Sequence, residues 1–147
     1  MTSNDRAVRI VLALMAVSAL VVGLWAQFAP KSFYDSFPGG GRHWVSVDGP
    51  YNEHLVRDVG GLNLALAVLT IAALVWLGPR LVSTAAVAWL VYSVPHFLYH
   101  LNHLGAYNGS DKAGNVVSLA LTIVMPIVLI FLSATGARAA SPAPLPR

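Results

Sequence analysis

The chain has 147 residues, 56% of them apolar and only 10% charged, where water-soluble domains carry roughly 25% charge. A soluble protein so poor in charge has no means of covering its own surface, so lipid is expected to replace the missing polar shell around a single domain. There is no cysteine, and the net charge of +3 is scattered singly at the ends of apolar runs, which argues against disulfides, thiolate chemistry and nucleic-acid binding.

The first apolar run covers about 8–28 and follows Arg6 and Arg9. Bulky Trp25 and Phe28 stand where a signal peptide would need small residues for cleavage, so the run reads as a retained helix. A long connection follows, from Ala29 to Asp58. Pro30 suits a short surface helix with Phe33 and Phe37 on one face and Tyr34 beside them, ended by Pro38 and Gly39-Gly40-Gly41. Asp48-Gly49-Pro50 reads as the start of the second helix, with Asp48 near the cap and Pro50 in the first turn.

The second helix is expected over about 50–77, the third over about 81–103 and the fourth over about 115–133. Each approaches the roughly 20 residues that span a hydrocarbon core. Gly78-Pro79-Arg80 makes the second and third an antiparallel hairpin. Residues 136–147 are rich in Ala, Pro and Ser, lack apolar periodicity and are expected to form a disordered cytoplasmic tail. The fold class is therefore all-α: an integral membrane four-helix bundle over residues 1–135, with a long, partly helical outer loop between helices one and two. Arg6 and Arg9 at the start of the first helix put both termini in the cytoplasm. Ala19 with Gly23, and Gly61 with Ala65, have the small-xxx-small spacing that permits close helix approach.

All five histidines fall at the outer end of this topology. In the stretch Val94–Leu104, VPHFLYHLNHL, residues His96, His100 and His103 share an arc of about 60° on a helical wheel. Trp89, Tyr92 and Tyr99 extend that face, while Val91, Val94, Phe97, Leu98 and Leu101 line the other. The apolar side is expected to face lipid and the histidines the bundle. On the second helix His54, Asp58, Gly61 and Ala65 share one face, and a carboxylate one turn from an imidazole fixes its tautomer and raises its basicity.

Three readings follow. The cluster is a structural network at the bundle mouth; or His54, Asp58, His96, His100 and His103 bind zinc, copper or iron; or haem sits between His54 and a histidine of the third helix. Lipid, quinone or protein-partner recognition remains beside these. Membrane di-iron enzymes also place histidines at i, i+4, but they use about eight, facing the cytosol, and that assignment is rejected. The segment FYDSFPGGGRHWVSVDGPYNEHLVRDVGGLNLAL, with the later histidine stretch, resembles a group of small actinobacterial four-helix membrane proteins of unassigned activity. The resemblance implies the architecture and no catalytic residue.

The sequence thus points to a multi-pass membrane protein with a histidine- and aspartate-lined cavity at the outer membrane face, suited to a metal. The alternatives are a histidine-liganded metallo- or haem enzyme of the cell envelope, or a subunit that binds a protein partner through the aromatic outer loop.

Overall fold

A computed structural model describes residues 3–139; residues 140–147 of the expected tail lie outside the described residues. The helices are α1 (Ser3–Phe28), α2 (Pro30–Ser36), α3 (Glu53–Trp76), α4 (Pro79–Asn102) and α5 (Gly109–Ala139), with a 3₁₀ turn at Leu104–Ala106. Among the described residues no strand occurs. The four long helices, α1, α3, α4 and α5, are each long and apolar enough to cross a membrane.

Several helix ends differ from expectation, each for a local reason. α3 starts at Glu53 rather than Pro50, because Asn52 is its cap and accepts the Leu55 N–H at 3.1 Å. Asp48, expected to cap it, is engaged elsewhere. α5 starts well before Asn115: the Asn108 side chain accepts the Asp111 N–H at 3.0 Å, and Asp111 adds negative charge to the first turn. At its other end α5 runs through the first residues of the expected tail to Ala139.

α1 packs most extensively on α3, and α4 on α5, with sparser contact between the two pairs. The α1/α3 approach is set by Gly60, where a Cβ would lie 2.5 Å from the backbone nitrogen of Gln27. The expected pair Gly61 and Ala65 does not make this contact; both face outward. The antiparallel pair also exchanges arginines. Arg9, near the start of α1, donates to the Leu74 carbonyl in the last turn of α3 at 3.1 Å, and Arg57, in the first turns of α3, donates to the Gln27 carbonyl at the end of α1. Each helix therefore receives a cation at its negative end from its neighbour.

At the end that carries the Gly78 turn, a core of Leu12, Met15, Leu66, Val82, Ala86 and Leu129 joins all four long helices. Asn4 donates to the Leu132 carbonyl at 3.0 Å, and the Ser83 and Ser133 hydroxyls meet at 3.1 Å. Near mid-bundle the buried Trp89 Nε1–H donates to Thr70 Oγ1 at 2.8 Å, fastening α4 to α3. The exterior is apolar as well. Ile10, Leu14, Val17 and Val21 run along α1, and Val117, Leu121, Val124 and Phe131 along α5, all exposed. Only 11% of the apolar window of α5 is buried within the protein. Such a surface is compatible with a lipid surround.

Candidate functional site: a cavity between the helix pairs

Beyond the Trp89–Thr70 bond, toward the end that carries the 29–52 connection, the helix pairs separate and enclose a cavity of about 520 Å³. Trp89 lies at its inner end. Val56, Val59 and Asn63 of α3 face it across from Tyr92, His96 and His100 of α4, and Asn115, Leu119 and Thr122 of α5 complete the wall. Phe37, Trp44 and Asp48 of the connection close the top. Size and lining are those of a small-molecule pocket, mostly apolar and aromatic with a few polar groups.

The α4 wall is a ladder of rings spaced at i, i+4. Tyr92 stacks on His96 with centroids 5.3 Å apart, and His96 meets His100 edge-on at 4.7 Å. His100, with its side chain only 12% exposed, ends the ladder at Tyr107. The Tyr107 hydroxyl lies 2.9 Å from the Trp44 carbonyl, 3.1 Å from Asp48 Oδ2 and 3.3 Å from His100 Nδ1. A hydroxyl has one proton, so it donates to one of the two oxygens and accepts from the imidazole N–H. That arrangement places the His100 proton on Nδ1, and Nε2 has no hydrogen-bond partner among the described residues. Burial first, then the Asp48 charge, push the Tyr107 phenol well above its ordinary pKa, so it remains a hydrogen-bond donor.

The connection is held as a strap. The Trp44 N–H donates to the Phe37 carbonyl at 2.8 Å, and its indole Nε1–H donates to Asp111 at 2.9 Å. Arg42 pairs with the same carboxylate. The indole lies against Gly114, where a Cβ would come within 2.8 Å of its Cζ2. At the strap's other end Phe37 packs on Phe33 at 4.7 Å and on Trp25 of α1 at 6.1 Å. The strap thus bridges α1 and α5 and covers the gap between them.

One wall residue is out of balance. Asn115 is 3% exposed, lines the cavity, and its Oδ1 is buried without a hydrogen-bond partner. The nearby hydroxyls differ: Ser118 donates to the Asn115 backbone carbonyl at 3.1 Å, Thr122 to the Leu119 carbonyl at 2.7 Å, and Ser18 to the Met15 carbonyl at 2.9 Å. They satisfy themselves on their own helices. An unpaired buried amide costs about 1–3 kcal/mol, and a ligand polar group is the natural partner for one that faces a cavity.

Of the five residues expected as ligands, His96 and His100 line the cavity. His103 sits at the end of α4, exposed, with its ring stacked on Tyr99 at 4.1 Å and Nδ1 donating to the Tyr99 carbonyl at 2.7 Å. His54 and Asp58 approach to 3.5 Å on the outer face of α3, with side chains 87% and 61% exposed. The carboxylate near His100 is Asp48, 3.7 Å from Nδ1, and not Asp58. Among the described residues no group of three or more His, Cys, Asp or Glu side chains is placed to hold a metal ion. Asp48, Tyr107, Asn63 and Asn115 join the site without being expected from the sequence pattern. A lone Asn63 inside an apolar run was a usable signal, because polar groups at membrane depth turn inward. Neither a family model, nor a curated protein, nor a solved structure matches the chain, so function is read from geometry alone.

Proposed function

We propose that the chain is a four-span membrane protein that binds one small, largely apolar molecule with a hydrogen-bonding head, in the cavity between its helix pairs. Arg6 and Arg9 at the start of α1 favour a cytoplasmic N-terminus, which puts the strap and the cavity mouth on the outer face. The observation that carries the reading is the buried, unpartnered Asn115 Oδ1 in a cavity whose walls are mostly aromatic and apolar. His96 and His100 serve as hydrogen-bonding and stacking groups, and Asp48 with Tyr107 holds the His100 ring in place.

Native mass spectrometry of protein taken from its own membrane in mild detergent tests this. The expected result is a non-covalent adduct of defined organic mass, lost in Leu119→Trp, which fills the cavity, and kept in His54→Ala. Protein free of any adduct, with melting unchanged by lipid extract from the host membrane, would overturn the proposal. So would a stoichiometric metal increment that disappears in His96→Ala, which would assign the histidines to a metal instead.

A further inference from the structure

If the cavity binds a ligand, its openings decide which molecules reach it. The strap covers the α1/α5 side through Phe37 and Trp44. The α3/α4 side is different. These helices are fastened at Thr70–Trp89, and Asn63 of α3 and Tyr92 of α4 both line the cavity beyond it. From there to the helix ends, no hydrogen bond or ion pair joins α3 to α4 among the described residues. Leu55 and Tyr99 flank this gap; both line the cavity, yet they are 61% and 48% exposed on the outside. The cavity therefore opens sideways between α3 and α4. From Asn63 to Leu55 the slot is about 12 Å tall at 1.5 Å per residue, close to one leaflet, about 15 Å, of a 30 Å hydrocarbon core. Its edges face lipid.

The interior narrows the chemistry. Tyr92, His96 and Tyr99 make one aromatic wall, and Phe33, Phe37 and Trp44 come from other elements. A flat ring between such walls gains stacking on both faces. Two groups await its polar atoms: the Asn115 amide, and the His96 imidazole, which has ring contacts but no hydrogen-bond partner among the described residues. A neutral imidazole and an amide can each donate or accept, so they suit ring oxygens whether carbonyl or hydroxyl.

Resting on the cavity reading, we infer that the ligand belongs to the quinone/quinol class: a planar head with ring oxygens on an apolar tail, which enters from the outer leaflet between α3 and α4. The head lies against the α4 ladder with an oxygen on Asn115, and the tail leaves through the slot beside Leu55 and Tyr99.

The full chain in phospholipid nanodiscs gives the test, with quenching of tryptophan emission as readout, since Trp44 and Trp89 line the cavity. The probes are a naphthoquinone with a short isoprenoid tail and the same ring without a tail. The tailed probe is expected to bind, with affinity about tenfold weaker in Asn115→Leu, one hydrogen bond to the head. That variant removes an unpaired buried amide and so retains the fold. Val59→Phe, at the slot, is expected to slow association of the tailed probe at least fivefold. Binding of the ring-only probe without the tailed one would overturn the lateral route and leave the cavity reading standing. Failure of both probes while the native organic adduct persists would overturn the quinone class alone. Failure of both probes with no native adduct would remove the cavity reading as well.

Discussion

Adjacent glycines on α3 make opposite predictions. A Cβ on Gly60 would sit 2.5 Å from the Gln27 nitrogen, 2.8 Å from its Cα and 2.9 Å from its Cβ. Comfortable contacts are about 3.5–4.0 Å, so α1 would have to retreat by about 1 Å, and backbone cannot swing aside as a side-chain tip can. On Gly61 the only neighbour within reach is Gln27 Oε1 at 3.7 Å, an ordinary contact. Both positions lie in the same turn of one helix, so the gain in helix propensity on replacing glycine by alanine cancels between them. The difference isolates the packing term. Overpacking costs about 1–3 kcal/mol, and Gly60→Ala should be less stable than Gly61→Ala by that amount. The retreat would also stretch the Arg57 bond to the Gln27 carbonyl. Unfolding in mixed micelles by titration with a denaturing detergent measures the gap. Equal stabilities, or a more stable Gly60→Ala, would refute the close approach of α1 and α3 that forms one side of the cavity.

The remaining predictions concern the strap and the hairpin. Tyr107→Phe removes the hydroxyl shared by Trp44, Asp48 and His100 and is expected to cost about 1.5 kcal/mol, the low end for a bond to a charged group, because Asp48 keeps some contact with water. Limited trypsin digestion should then cut faster after Arg42; an unchanged rate would show that the strap is held without Tyr107. Replacing Tyr92 and His96 together by alanine should draw α3 and α4 closer by about 2 Å, the spread between tight and loose helix contacts. Spin labels on Leu62→Cys and Val94→Cys, both exposed positions in a chain without cysteine, report that distance. An unaltered distance would mean that the rings do not hold the gap open.

Much of this architecture was legible because hydropathy and helix length are properties of single segments. The four apolar runs, the Gly78 turn and the two faces of α4 follow from local pattern, and Val91, Leu98 and Leu101 lie exposed while His96 and His100 line the cavity. The partner of the histidines was harder to find. Sequence spacing put His54 beside Asp58, and they do meet, but periodicity alone cannot say which face of α3 turns inward. Gly60, Asn63, Ala67 and Thr70 mark the buried stripe, about 170° round from the face that carries His54, Asp58, Gly61 and Ala65, on the opposite side of the helix. Asp48 departs from expectation for a different reason. Asp-Gly-Pro is a good helix start, but Asn52 competes for the same role and wins, which frees the carboxylate for Tyr107 and His100.

The cavity itself has a cause in the size of residues along one face of α4. Near the Gly78 turn its inward positions are Val82, Ala85 and Ala86, all buried, and they meet Ala67 and Ala73 of α3 in the same core. Small residues let helices approach closely. Further along, the inward positions become Trp89, Tyr92, His96 and His100, rings that occupy the space a neighbouring helix would otherwise fill. A hairpin with alanines at its closed end and rings at its open end must splay, because helix separation follows the side chains at the contact. The splay leaves room that the rings do not fill, and the strap from Phe37 to Trp44 covers one side of it. Cavity, slot and histidine ladder are then consequences of a single gradient in side-chain volume. This packing leaves the buried Asn115 Oδ1, which faces the cavity, without a partner, and that is why it points most directly to a ligand.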